Sequence, residues 1–281
     1  MKLVMTLLVR DEEDIVVANV DFHLARGVDF VIATDNLSVD GTTGILREYE
    51  RRGVLRYISQ TDDDYAQGRW VTHMARLACT EHGADWVING DADEFWWPED
   101  GDLKQVLGAV APSCAAVRAA LRTNFVPRSM TGNGFFADTM TIRQRDPIND
   151  FGAPLVPKIC HRAVPDIDVT QGNHAVMRSG MVLDAPPAPI TILHFPLRSY
   201  RQYSNKIAKG GAAYARNPNF GPDIGHGWRY SYRLLQRGEL EAHVRGKVLD
   251  QETIDAGLRS GRLLYDERLK RFFAAAGALQ R

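Results

Sequence analysis

The sequence predicts an α/β fold built on a doubly wound, mainly parallel sheet, and two observations carry this prediction. Short apolar runs alternate with segments of helical spacing through the first hundred residues, which is the pattern of βαβ units. Clusters of polar residues follow three of the apolar runs, at Arg10–Glu13, Asp35–Asp40 and Asp91–Glu94. Because such sheets bind ligands at the carboxyl ends of their strands, the clusters indicate a functional site at one edge.

Four strands and three helices are predicted in this first part of the chain. The strands are near-continuous apolar runs, as expected for parallel strands buried on both faces. Gly27, Gly53 and Gly83 follow the helices as C-terminal caps. The predicted order is a strand over Lys2–Val9, a helix over Glu12–Arg26, a strand over Phe30–Thr34, a helix over Thr43–Arg52, a strand over Val54–Ile58, a helix over Arg69–His82 and a strand over Trp86–Asn89.

The remainder predicts a mixed extension of the sheet followed by C-terminal helices. A helix over Asp102–Val110 precedes predicted strands over Ala115–Leu121, Thr139–Arg143, Lys158–Arg162, Val176–Val182 and Ile190–His194. Helices are predicted from Ser199 onward and over Gln251–Gly261 and Tyr265–Ala276. The stretch Gly210–Gly227, rich in glycine and proline, is predicted as either a surface connection or a mobile lid.

Charge and cysteine usage narrow the class of protein. The 281 residues carry a net charge of −1 with the basic residues spread along the chain, so nucleic acid is not an expected partner. Cys79, Cys114 and Cys160 are scattered and form no Cys-x-x-Cys pair, which favours a reducing compartment. No run approaches the roughly 18–20 apolar residues that span a bilayer. We therefore predict a cytoplasmic protein.

The cluster Asp91–Glu94 has the composition of a metal site. Two carboxylates, at Asp91 and Asp93, follow a buried strand and reach one divalent ion if the backbone turns there. Hard oxygen ligands suit Mg²⁺ or Mn²⁺, and these ions clamp a diphosphate. A solvated acidic loop is the alternative, but the bulky Phe95–Trp97 beside it favours a partly dry site. The tryptophan pair is either core or a platform for stacking a sugar.

Three motifs occur in register along the chain, at Arg10–Glu13, Asp35–Thr42 and Asp91–Phe95. Together they resemble the nucleotide-binding half of family 2-like glycosyltransferases with the GT-A fold, closest to the branch whose first motif reads Arg-Asn-Glu-Glu. The resemblance covers about residues 1–100. Two positions depart from the family pattern, since Asp11 replaces the usual asparagine and Leu37 stands where glycine or asparagine is common.

The resemblance implies roles for individual residues of the first half. Asp35 would accept a hydrogen bond from the nucleotide base, and Arg10 with its neighbours would line the base pocket. Asp93 would ligate the metal, and Asp91 would assist near the ribose or in the water shell of the metal. Arg76 matches a position that often carries a basic residue near the phosphates, with a surface arginine as the alternative reading.

Candidates in the second half follow from the same resemblance. Such enzymes often complete the metal site with a late histidine after a strand, and His194 matches that position. Arg198, at the basic start of the next helix, and Lys158, on a predicted strand, are candidates for binding the diphosphate. Lys158 pointing to solvent and His194 as a structural histidine remain open alternatives. His174 is either the general base, an acceptor contact or a structural residue.

The implied reaction transfers a sugar from a UDP- or GDP-linked donor to an acceptor hydroxyl with the help of Mn²⁺ or Mg²⁺. The hydroxyl attacks from the face opposite the diphosphate, which inverts the anomeric centre, and a carboxylate or histidine takes its proton. Asp93, Glu94 and His174 form the predicted catalytic set. The sequence leaves the base open among Glu94, Asp150, Asp168 and His174.

The resemblance divides the chain into a nucleotide-binding half (1–110), an acceptor-side half (111–205) and a lid or linker with C-terminal helices (206–281). The expected acceptor is a glycan, a lipid-linked molecule or a small molecule. The segment Arg268–Arg281 either contacts the inner face of a membrane or docks on the main domain. The alternatives to a transferase are a nucleotidyltransferase of similar fold, a metal-dependent hydrolase and a non-catalytic nucleotide- or carbohydrate-binding protein.

Overall fold

A computed structural model describes residues 1–217, 221 and 224–279. Its strands are β1 (Leu3–Val9), β2 (Phe30–Asn36), β3 (Leu55–Gln60), β4 (Trp86–Asp91), β5 (Glu94–Pro98), β6 (Ala116–Asn124), β7 (Ile142–Gln144), β8 (Ile159–Arg162), β9 (Ile167–Val169), β10 (Val176–Arg178), β11 (Met181–Val182), β12 (Pro187–His194) and β13 (Leu263–Tyr265). Its α-helices are α1 (Val16–Ala25), α2 (Thr42–Arg51), α3 (Gln67–Thr80), α4 (Leu103–Gly108), α5 (Phe136–Thr139), α6 (Tyr200–Lys206), α7 (Ala212–Arg216), α8 (His226–Gln236), α9 (Leu240–Arg245), α10 (Gln251–Arg259) and α11 (Arg268–Leu279).

In the described part of the chain, eight strands form one sheet in the order β3-β2-β1-β4-β8-β6-β12-β5. β1 pairs in parallel with β2 and β4, and β2 pairs in parallel with β3. β8 is antiparallel to both β4 and β6. The predicted fold class is therefore confirmed, since a doubly wound parallel half carries a mixed extension and helices follow it along the chain.

Both faces of the parallel half are covered, which explains why its strands are apolar throughout. Val4 of β1 belongs to a buried cluster with Met74 of α3 and with Val169 of β9. Leu3 and Met5, whose side chains point to the opposite face, are also fully buried. A strand with one solvated face would show alternating polar residues, so the unbroken apolar run reflects burial on both sides.

Two predicted strands differ from the structure. Thr139–Arg143 is not one strand, because helix α5 runs to Thr139 and strand β7 begins only at Ile142. Val176–Val182 is a hairpin of β10 and β11, since Ser179 and Gly180 adopt positive φ angles of 51° and 79° that reverse the chain. The apolar content of the segment alone does not predict such a chain reversal.

The stretch Gly210–Gly227, predicted as a surface connection or a lid, is partly helical. Ile207–Gly211 forms one π-helical turn, and α7 continues the helix to Arg216. Gly210 fits because the ring of Trp228 packs directly against it, leaving no room for a side chain. The centre of the predicted lid, at 218–220 and 222–223, lies outside the described residues.

The chain forms two compact units. The first comprises Met1–Arg122 with Val156–Leu193, and the second comprises Thr123–Leu155 with His194–Arg281. Within the second unit, β7 pairs with β13, and Phe273 of α11 makes an edge-to-face contact with Phe135 beside α5. The apolar side of α11 therefore packs within its own unit. Among the residues that the structure describes, no helix is both long and apolar enough to cross a bilayer.

Candidate functional site

The three polar clusters lie at one edge of the sheet, as the sequence predicts. β1 is the strand at which the order reverses, because β2 and β3 extend to one side of it and β4 lies on the other. In the register of the sheet, Val9 pairs with Asp35 and Leu8 pairs with Asp91. Asp91 therefore ends its strand at the topological switch point, where doubly wound sheets bind their ligands.

Asp35 holds together the loop that follows β2. The side chain is 2% exposed. One carboxylate oxygen accepts from the backbone N–H of Ser38 at 3.1 Å. The other accepts from Thr43 Oγ1 at 2.5 Å and from the Tyr57 hydroxyl at 3.3 Å. The carboxylate has an evident local function in the loop, and its predicted contact with a nucleotide base stays a prediction.

The two departures from the family pattern both occupy left-handed backbone. Asp11 has φ of 54° and Leu37 has φ of 61°. Asparagine and glycine adopt this conformation at low cost, whereas a leucine there costs roughly 1 kcal/mol. The Asp11 carboxylate accepts from the backbone N–H of Val39 at 2.8 Å, and the backbone N–H of Asp11 donates to Ser38 Oγ at 2.9 Å. These bonds fasten the first motif to the second.

Arg10 points toward the loop after β3. Its guanidinium forms an ion pair with Asp63 at 2.6 Å, and its Nε is buried without a hydrogen-bond partner. A buried guanidinium N–H without an acceptor is costly, and an ordered water or a ligand would supply the acceptor. This observation supports the predicted role of Arg10 in lining a ligand pocket.

The acidic turn, residues Asp91–Glu94, is held by a single buried amide. Asn19 of α1 is fully buried, and its Nδ2 donates to the carbonyl oxygens of Asp91 at 3.3 Å, Ala92 at 3.0 Å and Glu94 at 2.9 Å. One turn later on α1, His23 bridges the Asn19 carbonyl and the backbone N–H of Trp96. Helix α1 thus fixes the path of the chain from β4 through the turn into β5.

Asn19→Leu is expected to destabilise the protein by about 2–4 kcal/mol, because it leaves the buried carbonyl groups of Ala92 and Glu94 and the part-buried one of Asp91 without their donor. Urea unfolding followed by circular dichroism measures this change in the free energy of unfolding. Val17→Leu, at an exposed position of the same helix, is the matched control and is expected to stay within about 0.5 kcal/mol. Equal stability of Asn19→Leu and the wild type would show that the amide does not hold the turn.

The two tryptophans after the acidic turn have different surroundings. Trp96 is fully buried and belongs to the core, so it does not offer a face to a sugar. Trp97 is half-buried, with the Arg26 guanidinium 4.3 Å from its ring and the Phe22 ring stacked at 5.9 Å. The core reading of the pair therefore holds for Trp96.

Asp91 is the centre of a polar network drawn from distant parts of the chain. One of its carboxylate oxygens accepts from Gln67 Nε2 at 3.3 Å and from Asn173 Nδ2 at 3.1 Å. The other forms an ion pair with the ammonium of Lys158, whose side chain is 3% exposed. The Lys158 ammonium also donates to the Gly172 carbonyl at 2.8 Å. Lys158 thus points into the acidic turn and not to solvent.

Glu94 is the most deeply buried carboxylate of the turn, with no exposed surface. Burial raises the pKa of this carboxyl; Lys158 and Arg122 act against that shift, and the nearby Asp91 and Asp93 carboxylates add to it. Arg122 Nε donates a hydrogen bond to Glu94 Oε1 at 2.6 Å. Its Oε2 is buried and has no hydrogen-bond partner.

The segment Gln171–His174 forms a tight turn beside this network. Gln171 Oε1 accepts from the backbone N–H of Gly68, and Gln67 Oε1 accepts from the backbone N–H of Gly172. Gly172 has φ of 82°, and a Cβ there would lie 2.9 Å from His174 Nε2, so this position requires glycine. His174 Nδ1 lies 3.0 Å from the Pro157 carbonyl, which makes Nδ1 the protonated nitrogen and leaves Nε2 as an acceptor.

The structure places Arg76 and Asp168 away from the acidic turn. Arg76 donates to the Ile167 carbonyl and pairs with Asp168 at 2.6 Å. It lies nine residues beyond Gln67 on α3, or about 13 Å along the helix axis. The surface reading of Arg76 is therefore the one that the structure supports, and Asp168 is occupied as its partner.

The remaining candidates belong to the second unit. His194 ends β12, and its Nδ1 lies 2.6 Å from Asn124 Oδ1, which leaves Nε2 as the nitrogen able to act as a ligand. Arg198 is buried, and its guanidinium donates to the Phe195 carbonyl at 3.0 Å. Asp150 pairs with Lys247 at 2.6 Å. The roles predicted for His194 and Arg198 stay predictions.

Sequence reasoning missed several residues of the site, because their partners are distant in the chain. Asn19 interrupts an otherwise apolar helix face, and a buried amide at such a position is a usable signal. Asn173 lies in the turn already noted before His174. Gln67 and Arg122 gave no signal, since each is an ordinary polar residue until the fold brings it to a carboxylate.

The acidic turn fits one side of a divalent cation. The turn contains the carboxylates of Asp93, which is 3% exposed, and of Glu94, whose Oε2 has no hydrogen-bond partner; hard oxygens of this kind are the ligands that Mn²⁺ and Mg²⁺ prefer. Within the described residues, no group of three or more His, Cys, Asp or Glu side chains is arranged to hold a metal. Such ions often take one or two carboxylates from the protein and complete their shell with substrate phosphates and water.

No protein-family model and no curated protein matches the chain. Among solved structures it is similar to residues 1–349 of S. aureus TarS in complex with UDP, with 13% identity and a TM-score of 0.41 over 93% of this chain and 92% of that one. It is also similar to glucosyl-3-phosphoglycerate synthase from Mycobacterium tuberculosis in complex with Mn²⁺, UDP and glucosyl-3-phosphoglycerate. That match has 19% identity and a TM-score of 0.32, over 43% of this chain and 44% of the synthase.

Because both TM-scores are below 0.5, these similarities decide neither the fold nor the activity of this chain. The class of protein is defined by its own fold and site. It is a doubly wound α/β protein with an acidic turn at the switch point of its sheet, and buried cations neutralise part of that turn.

Proposed function

We propose that this protein is a glycosyltransferase that moves a sugar from a nucleoside diphosphate donor to an acceptor hydroxyl, with inversion at the anomeric carbon. The acidic turn at the topological switch point carries the proposal. Its backbone is fixed by Asn19, and it combines Asp93 with the orphaned oxygen of Glu94. Hard oxygens held at that edge suit a divalent cation bound to a diphosphate.

Asp93 is the residue that would hold the metal. When bound, a divalent ion neutralises negative charge that develops on the departing diphosphate. Arg10 follows β1, and its buried Nε has no hydrogen-bond acceptor. In the proposed complex Arg10 would contact the nucleotide. The Asn19 clamp keeps the acidic turn rigid, so that little reorganisation is needed when the donor binds.

His174 is the residue that we assign as general base. Its Nδ1–H donates to the Pro157 carbonyl, so the unprotonated Nε2 is ready to accept the proton of the acceptor hydroxyl. Burial, with a smaller effect of the Lys158 charge, lowers the pKa of His174 to about 4, which keeps the ring neutral at physiological pH and also makes it a weaker base than an ordinary histidine. Asp150 and Asp168 are engaged in ion pairs, and Glu94 pairs with Arg122 and belongs to the proposed cation site.

Isothermal titration with UDP and with GDP, each with and without Mn²⁺, tests the proposed function. We expect one of the two nucleotides to bind, and Mn²⁺ to tighten binding by about tenfold or more, because a bridging cation neutralises the diphosphate. Titration with a nucleoside triphosphate in the presence of a sugar phosphate is the control for a nucleotidyltransferase. Absence of binding by both diphosphates would rule out the transferase.

His174→Ala is expected to lower kcat by about 10²–10⁴-fold while leaving the dissociation constant of the Mn²⁺–nucleotide complex unchanged, because a general base acts only in the transition state. The rate of sugar transfer and a parallel titration measure the two quantities. His73→Ala, at an exposed position on α3, is the matched control. A loss of nucleotide affinity without a loss of kcat would remove His174 from the role of base.

A further inference from the structure

The ammonium of Lys158 is the cation that the fold places against the Asp91 carboxylate. It forms an ion pair with Asp91, donates to the Gly172 carbonyl at 2.8 Å and lies 3.7 Å from Glu94 Oε1. An ammonium has three N–H donors, and three acceptors surround this one. The Lys158 side chain is 3% exposed and that of Asp91 is 27% exposed, so water screens the pair less than it would at the surface.

The Asp91 carboxylate is occupied on both oxygens. Gln67 and Asn173 donate to one oxygen, and Lys158 pairs with the other. A divalent cation bound directly to Asp91 would have to displace these donors and would lie beside a buried positive charge. Both effects oppose binding, because displacing the ammonium from Asp91 leaves the buried charge of Lys158 without its partner.

We propose that Lys158 is the resident cation of Asp91, and that Asp91 is a positioning residue, not a metal ligand. Asp91 and Lys158 jointly hold the Gln171–His174 turn against the acidic turn, through Asn173 and the Gly172 carbonyl. The acidic turn then offers a divalent cation the Asp93 carboxylate without that of Asp91. This inference rests on the proposed function only in assuming that a divalent cation binds at the acidic turn.

Mn²⁺ binding to the nucleotide-free protein, measured by titration calorimetry and by electron paramagnetic resonance, tests the inference. Lys158→Gln removes the resident cation and exposes Asp91, so it is expected to tighten Mn²⁺ binding by about tenfold or more. The double variant Asp91→Asn with Lys158→Gln removes both charges together and keeps the net charge of the wild type. Its Mn²⁺ affinity is expected to stay within about threefold of the wild type.

Lys104→Gln is the control, because it removes a more exposed lysine that also pairs with an aspartate, Asp29, outside the acidic turn. It is expected to leave Mn²⁺ affinity unchanged. Should Lys158→Gln fail to fold, the charge-balanced double variant decides the question alone. Weaker Mn²⁺ binding by about tenfold or more in the double variant overturns the inference, because it would identify Asp91 as a ligand.

Unchanged or weaker binding by folded Lys158→Gln also overturns the inference. Failure of the proposed function gives a different result. If the wild type binds no Mn²⁺, the metal dependence of the proposed transferase is lost. The inference is then supported if Lys158→Gln gains a Mn²⁺ site and overturned if it does not.

Discussion

Asp93→Asn is expected to abolish the enhancement of nucleotide binding by Mn²⁺ and to lower sugar transfer by about 100-fold or more. In the proposed site the Asp93 carboxylate is the hard, charged ligand of the metal, and the amide that replaces it has the same shape without the charge. Titration of UDP or GDP with and without Mn²⁺ measures the first effect, and a transfer assay with the donor that binds measures the second.

The fold is expected to survive this substitution. Burial is the main cause of the raised pKa of Glu94, and the carboxylates of Asp91 and Asp93 add to it, so negative charge is crowded in the turn. Removing one charge relieves that crowding, and the unfolding temperature is expected to stay equal or rise. Asp168→Asn, an exposed carboxylate in the same unit, is the control. Undiminished metal enhancement in Asp93→Asn would refute the ligand assignment.

Acidification is expected to destabilise the protein between pH 6.5 and pH 4 through buried histidines. Burial lowers the pKa values of His23 and His161 to about 4. The unfolded chain takes up protons as the pH falls below 6.5, while the folded chain resists them until about pH 4. The stability that each neutral histidine contributes is therefore complete above pH 6.5 and is lost as the pH falls through this window.

The size of the effect follows from the shift in pKa. At pH 4.5 each such histidine lowers the free energy of unfolding by about 2.5 kcal/mol relative to pH 7. His161 is the better site for a test, because its Nε2 is buried without a partner and its strand neighbours Val87 and Ala116 are apolar. His161→Leu removes the titrating group and fills the space with an apolar side chain.

Urea unfolding of the wild type and of His161→Leu at pH 7 and pH 4.5 measures this contribution. The drop in stability between the two pH values is expected to be smaller by about 2.5 kcal/mol in the variant. His73→Leu, at an exposed position, is expected to keep the wild-type drop. An identical drop in His161→Leu and the wild type would mean that His161 is not held neutral in the folded protein.

The sequence by itself determined the parallel half of the fold and the edge at which the site lies. Apolar runs of strand length that alternate with helical segments permit few arrangements other than βαβ units. Once Leu8, Asp35 and Asp91 are placed at the ends of parallel strands, their proximity follows from the direction of the strands. The parallel half was predictable because the apolar pattern within each segment indicates which of its residues are buried.

Strand β5 was not predictable in the same way. No strand is predicted over Glu94–Pro98, but this segment forms an edge strand of the sheet. Its path is set by Asn19 and His23, which bind backbone groups more than 70 residues away in the chain. A polar residue on a buried face indicates that a hydrogen-bond partner exists, but only the packing of α1 against the turn identifies that partner.

The tertiary structure alone decided which cation meets Asp91. β8 runs antiparallel to β4, with Ile88 opposite Cys160. The residue two positions before Cys160 is Lys158, which therefore arrives beside Asp91 at the end of β4. The choice depends on the insertion of β8 next to β4, and strand order is a property of the whole sheet. Local periodicity encodes which residues are buried, whereas the pairing of buried charges depends on which distant strands become neighbours.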